Sequence, residues 1–244
     1  MQPLLIAHRG ASGNAPENTL AAFRLAWEEG ADGIEGDFQL TADEEVVCIH
    51  DPTTGRVAKK KLTVATSRYA DLAKLDLGSW KNTDFSGERI PRLGDVLDVL
   101  KPGKWLFIEI KSGVATVEAI HRILDEKQAD VSRIVLICFE SDVIRACREA
   151  LPGCQAHWIS TLKGVNRPSR AAAYAAQLDE CGATGLQFDC RAPVGAAWLA
   201  SLKRPVASWT VNDVAVARKL AGMGVNFLTT NVPGALRQAL EADL

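Results

Sequence analysis

Glu35 and Asp37 stand two apart in GIEGDFQL (33–40), and Glu109 and Lys111 stand two apart in WLFIEIK (105–111). Both stretches read as strands, because apolar, β-branched and aromatic residues alternate with the polar ones. Period-2 geometry puts Glu35 and Asp37 on one face and Ile34, Gly36 and Phe38 on the other. The same rule groups Glu109 and Lys111 with Phe107, away from Leu106, Ile108 and Ile110. Three carboxylates at the ends of two strands cannot share a dry site unpaired, because repulsion and desolvation raise their pKa values or force them apart. A hard divalent cation resolves the conflict, and oxygen ligands with open water positions suit Mg²⁺ or Ca²⁺. Glu35, Asp37 and Glu109 are therefore candidate metal ligands. The competing reading is a structural ion network in which each carboxylate pairs with an arginine or lysine.

The chain has four histidines. His8 ends LLIAH (4–8) and is followed by Arg9 and the loop GASGNAPENT; His50 ends EVVCIH (45–50) and opens HDP. Both stand at chain breaks beside the carboxylate-bearing strands. Two imidazoles flanking one metal site supply a proton acceptor and a proton donor near neutral pH. The plainer reading makes each a satisfied strand-end residue. His121, in the helical pattern EAIHRIL, reads as surface or packing, and His157, in QAHWIS, as core. PVASWTVN (205–212) ends in Trp209 and Asn212.

These residues need strands to carry them. Strand candidates are 4–8, 33–40, 105–111, 134–139, 155–160, 185–190, 205–211 and 226–230. Helical patterns lie between most of them: ENTLAAFRLAWEEG opens on capping residues and closes on Gly30, while ATVEAIHRILDEKQA, SDVIRACREALPG and DVAVARKLAGMG space apolar residues three and four apart. Strand–helix alternation implies a parallel sheet covered by helices. Eight such strands in 244 residues fit a single (β/α)8 TIM barrel, which takes roughly 250 residues. A doubly wound open sheet is the structural alternative. EVVCIH breaks the alternation. The TADE link before it is too short for a parallel crossover, so the strand should return antiparallel as a hairpin and carry His50 toward 35–37. Residues 51–94, rich in turn formers, read as an insertion placed to cover an active site. Its Lys59, Lys60 and Lys61 read as a solvated run, with attraction of an anionic substrate as the functional alternative.

Twenty-eight basic residues against 30 acidic ones give no support to nucleic acid as a partner. No apolar stretch approaches the roughly 20 residues that span a bilayer, so stable membrane insertion is not expected. MQPLLIAHRG lacks a basic n-region and an apolar h-region, which leaves a cytoplasmic location as the expectation. None of the six cysteines forms a CxxC pair, and inert reduced thiols are expected.

HRG (8–10) with PENT (16–19), then ExD (35–37), HD (50–51), EIK (109–111) and WTVN (209–212), in that order, resemble the glycerophosphodiester phosphodiesterase family. LDLGSW (75–80), RIPRL (89–93) and FLTTNVPG (227–234) add to the match, which runs from Leu5 to Pro233. The resemblance implies a TIM barrel over 1–244, with its insertion at about 51–94 after the HD motif. It implies metal-dependent hydrolysis of small glycerophosphodiesters to sn-glycerol 3-phosphate and an alcohol. On the matching positions, His8 and His50 form the acid–base pair, and Glu35, Asp37 and Glu109 hold the cation. Arg9 and Lys111 contact the phosphate, Trp209 walls the glycerol, and Glu17 supports Arg9 or the metal shell. Arginine suits the phosphate role because its planar fork can grip two oxygens. The resemblance favours attack by the glycerol 2-hydroxyl through a cyclic phosphate over direct attack by water. Two departures stand out. Gly36 replaces a more usual apolar residue, which predicts a looser strand, and TTGRVAKKK after HDP replaces an arginine–threonine pair on the alcohol side. Rival readings are a phospholipase D-like enzyme acting on sphingomyelin or lysophospholipids, a non-catalytic phosphodiester-binding barrel, and another metal-dependent barrel enzyme such as a sugar isomerase. The oligomeric state is left open.

Overall fold

Strand β1 (Leu4–His8) pairs in parallel with β2 (Gly33–Leu40) on one side and with β9 (Phe227–Thr230) on the other. That double pairing closes the sheet. The computed structural model describes residues 2–242. Between β2 and β9 run β4 (Trp105–Ile110), β5 (Ile134–Cys138), β6 (Gln155–Ser160), β7 (Gly185–Asp189) and β8 (Val206–Trp209), each parallel to its neighbour. The ring order is β1-β9-β8-β7-β6-β5-β4-β2. The eight-stranded barrel is the expected one, and the open doubly wound sheet is excluded by the β1–β2 and β1–β9 pairings. β3 (Val46–Cys48) returns antiparallel on β2, with Phe38 opposite Cys48 and Leu40 opposite Val46, as the short TADE link requires.

The helices are α1 (Leu20–Glu28), α2 (Tyr69–Leu72), α3 (Leu93–Val99), α4 (Ala115–Glu126) and α5 (Ser141–Ala150), followed by α6 (Pro168–Glu180), α7 (Ala196–Ser201), α8 (Val214–Gly222) and α9 (Pro233–Glu241). Thr19 caps α1 by accepting from the Ala22 N–H, which satisfies one of the first-turn donors that a helix leaves open.

Side-chain alternation divides the apolar residues into two shells. Leu106, Ile108, Ile134, Leu136, Leu186 and Leu228 point outward and pack under the helices. Ile6, Phe107, Val135, Ile137, Ile159, Ala207 and Phe227 point inward and fill the barrel. Burial of each Leu, Ile or Phe contributes about 1.5–3 kcal/mol, so the outward shell fixes strand register and the inward one closes the barrel floor beneath the carboxylates. Gly36 leaves no gap. A Cβ there would stand 2.9 Å from Cys48 Sγ and 3.3 Å from the Phe23 ring, so the strand is tightly packed where the sequence suggested looseness.

The insertion packs Val57, Val64, Leu72, Leu77 and Ile90 against Val47 of β3 and Ile49 in a small separate core. It contains α2 and short 3-10 turns at Thr54–Arg56, Val64–Thr66 and Thr83–Phe85. Lys81 Nζ donates to the Ser12 carbonyl at 2.8 Å, which ties the insertion to the β1–α1 loop. No helix among the described residues is long and apolar enough to cross a membrane. All six cysteines are free, and only Cys190 is not fully buried.

Candidate active site

A cavity of about 290 Å³ opens at the C-terminal ends of the strands, where TIM-barrel chemistry gathers. His8, Arg9, Glu35, His50, Glu109 and Lys111 line it toward β1, β2 and β4; Phe139, Ile159, Gln187, Trp209 and Thr229 line the remainder. Asp37 lies buried behind this lining. Ligand atoms of Glu35, Asp37 and Glu109 come within 4.8 Å of one another. The sheet sets that spacing, because Asp37 on β2 is directly opposite Glu109 on β4. His8, Arg9, Glu35, Asp37, His50, Glu109, Lys111 and Trp209 thus come together, whereas Asn212 accepts from Thr230 Oγ1 and the Asn231 N–H outside the lining, and Lys59, Lys60 and Lys61 stay on the exposed surface. His157 is fully buried low in the barrel, and His121 faces Asp125 at 3.3 Å on α4.

The carboxylates are held asymmetrically. Glu35 Oε2 accepts from the Arg9 backbone N–H at 2.9 Å, while its buried Oε1 has no hydrogen-bond partner. Asp37 Oδ2 accepts from Asn18 Nδ2 at 2.8 Å; its Oδ1 makes no hydrogen bond, with Lys111 Nζ 3.6 Å away. Glu109 Oε1 accepts from Lys111 Nζ at 2.8 Å. Burial, then the charge of Asp37, raises the pKa of both Glu35 and Glu109. Buried carboxylates with unmade hydrogen bonds are costly, and converging oxygens of like charge are the donor set of a hard cation. The residues therefore fit a divalent ion.

The two histidines are fixed by different partners. His8 Nδ1 lies 2.7 Å from the amide oxygen of Asn231. An amide oxygen only accepts, so Nδ1 carries the proton and Nε2 keeps its lone pair. Burial and the Arg9 charge pull the His8 pKa down to about 4. His50 Nδ1 lies 2.7 Å from Asp51 Oδ1, and the turn that carries it is anchored by Gln39 Nε2, which donates to the carbonyls of Ile49 and Asp51, each at 2.8 Å.

Arg9 takes a left-handed backbone, φ 57°, and Gly10 follows at φ 79°. A Cβ on Gly10 would stand 2.5 Å from the Ala22 backbone, so only glycine lets this loop close against α1. The turn aims the Arg9 guanidinium at Glu17, 2.8 Å from Nη1, and at Asp37, 3.0 Å from Nε. Glu17 also binds Arg56 of the insertion, whose Nε donates to Asp51 at 2.7 Å. A chain of charges thus joins the insertion to both Arg9 and Asp51, the partner of His50.

Residues 8–235 match the glycerophosphoryl diester phosphodiesterase family. The chain belongs to that family. Its members are phosphoric diester hydrolases, and this chain is an enzyme of that class. YhdW, a candidate glycerophosphodiester phosphodiesterase of Bacillus subtilis, is 35% identical over 94% of each chain. The glycerophosphodiester phosphodiesterase of Caldanaerobacter subterraneus subsp. tengcongensis is 39% identical over 62% of this chain and 64% of its own. Among solved structures, an Oleispira antarctica phosphodiesterase in complex with its product sn-glycerol 3-phosphate superposes with a TM-score of 0.87 at 26% identity, covering 98% of this chain and 97% of that one.

Strand-end charge does not single out several residues of this family member's site. Asn18 accepts from the Asp37 N–H and donates to its carboxylate, and only its place in PENT marks it. Asn231 follows β9 in TTNVPG, where Asn reads equally well as a turn residue. Phe139 meets Trp209 edge to face at 5.8 Å, but in the sequence it merely ends an apolar run. Gln187 and Thr229 carry one available signal, a polar side chain at an inward position of a barrel strand.

Proposed function

We propose that this chain hydrolyses small glycerophosphodiesters to sn-glycerol 3-phosphate and an alcohol, using a divalent cation, Mg²⁺ or Ca²⁺, held by Glu35, Asp37 and Glu109. The observation that carries the reading is a cluster of three carboxylates, two of whose buried oxygens make no hydrogen bond, flanked by two imidazoles whose Nδ1 atoms are both engaged. When bound, the cation supplies Lewis-acid stabilisation of charge on the phosphoryl oxygens. The product bound by the Oleispira relative is the one expected here.

His8, neutral and with Nε2 free, is the proton acceptor for the attacking oxygen. His50 is the donor to the departing alcohol, its ring held in place by the Asp51 carboxylate at Nδ1. Asp51 stays ionised: its hydrogen bond from Arg56 holds its pKa well below the usual range. Lys111 lines the cavity beside Glu109 and supplies positive charge for the phosphate. Arg9 adds its field from a guanidinium already oriented by Glu17. Trp209 forms an aromatic wall for the glycerol. The six free thiols support a reducing, cytoplasmic setting. A non-catalytic barrel has no use for two oriented imidazoles beside three converging carboxylates.

The test is release of sn-glycerol 3-phosphate from a panel of glycerophosphodiesters, with and without EDTA. Cation-dependent release is expected. No release from any diester sinks the proposed activity, and full activity after exhaustive chelation sinks the metal.

A further inference from the structure

Gln187 on β7 and Thr229 on β9 point into the barrel and line the cavity, and each is 2% exposed. Gln187 Nε2 and Thr229 Oγ1 have no hydrogen-bond partner, nor does Trp209 Nε1 beside them. The rest of this side is apolar, with Ile137 and Ile159 below and Phe139 and Trp209 above. On β8 between them, Ala207 is opposite Gln187 and Phe227 in the register and has no polar side-chain atom, and the next inward residue, Trp209, has an unpaired Nε1 of its own. In the ring order, β7 and β8 lie across the barrel from β2 and β4, which carry the carboxylates.

Buried polar groups are normally paired, so unpaired ones facing a cavity mark where a ligand's polar atom goes. The chemistry here is neutral: an amide donor and a hydroxyl that both donates and accepts. A charged group would find no counter-charge on this side. One alcohol hydroxyl fits, accepting from Gln187 Nε2 and donating to Thr229 Oγ1. We infer that Gln187 and Thr229 read the terminal, sn-1 hydroxyl of the glycerol moiety, and so make the enzyme selective for glycerol over diols that lack it. This rests on the glycerophosphodiesterase reading, in which the phosphate sits by the carboxylates and the glycerol reaches across to Trp209.

The experiment compares kcat/KM for sn-glycero-3-phospho-p-nitrophenol and for its 1-deoxy analogue, the propane-1,2-diol diester, with saturating divalent cation. The analogue keeps the secondary hydroxyl and the leaving group. The wild type should prefer the glycerol diester by at least about tenfold, because losing the hydroxyl leaves two buried groups unpaired. Gln187→Leu and Thr229→Val should lose most of that preference by slowing the glycerol diester alone, and Thr229→Ser should keep it. The ratio is internal to each preparation, so partial misfolding does not alter it. Equal turnover of both diesters by the wild type overturns the inference and leaves the proposed function standing. So does a variant that slows both diesters equally, which is the mark of a structural role. If the wild type turns over neither, the glycerophosphodiesterase reading fails and the inference falls with it.

Discussion

The Nδ1 of His8 faces a neutral amide, and the Nδ1 of His50 faces a carboxylate. That single difference separates two side chains of identical chemistry into base and acid. It predicts an asymmetry between substrates. His50→Ala and Asp51→Asn should each slow hydrolysis of a choline-like diester by about 10²-fold or more, the usual range for lost acid–base catalysis. Asp51→Asn keeps the shape but withdraws the carboxylate that faces the ring. With a p-nitrophenyl diester, whose leaving group needs no proton, both losses should shrink to a few-fold. His8→Ala should cost the same on both substrates, since the attacking oxygen must be deprotonated in either case. Steady-state rates on the two substrates decide it; losses that ignore the leaving group in every variant would remove the acid–base assignment. Lys111→Met should lower turnover far more than stability. If Lys111 serves only as a counter-ion to Glu109, melting temperature would fall instead while the rate per folded molecule held.

The strands were legible because burial on both sides demands it: LLIAH and QAHWIS coincide with β1 and β6 residue for residue. The β2–β3 hairpin followed from chain length alone. α6 was harder to see. Its sequence PSRAAAYAAQLDE is alanine-rich, with only Leu178 fully buried, so apolar contrast between its faces is weak although its propensity is high. The carboxylate cluster was legible because Glu35 and Asp37 alternate on β2 and Glu109 stands at an inward position of β4. The neutral groups Asn18, beside Asp37, and Asn231, beside His8, were not, because their roles depend on contacts 19 and 223 residues away in sequence. His157 shows the same dependence. A Cβ on Gly185, across the β6–β7 pairing, would collide with its ring, so a glycine on one strand makes room for an imidazole on the next. Gly185→Ala should cost about 1–3 kcal/mol by overpacking, or roughly 2–12 °C in melting temperature for a domain of this size. His157→Ala in the same chain should recover part of that loss, and thermal denaturation of both singles and the double gives the coupling. Strictly additive losses would mean that the two positions do not share the space.

For the whole molecule, the site imposes opposing pH dependences on stability. Burial lowers the pKa of His8 from 6.5 to about 4 and of His157 from 6.5 to about 3. The unfolded chain therefore takes up protons first as pH falls below about 6.5, and stability declines from there toward about 3. Glu35 and Glu109 act the other way. Their folded pKa values are raised above 4.5, so without a cation their contribution is present below 4.5 and is lost as pH rises through the folded values. On the proposed function, a divalent cation should reverse this second effect by binding the ionised carboxylates of the folded state and little of the unfolded chain. At a concentration 100 times its Kd it adds about 2.7 kcal/mol, or roughly 5–11 °C. Protons compete for the same oxygens, so the gain should be larger at pH 8 than at pH 5.5. Glu35→Gln should melt higher than the wild type in EDTA, since it removes a buried charge with an unpaired oxygen, and should gain much less from Mg²⁺ or Ca²⁺. Thermal melts at two pH values, with EDTA and with each cation, measure all of this. A wild-type melting temperature indifferent to cations at both pH values, together with a Glu35→Gln variant less stable than the wild type in EDTA, would mean that Arg9 and Lys111 already balance the three carboxylates and that the cluster is a structural ion network.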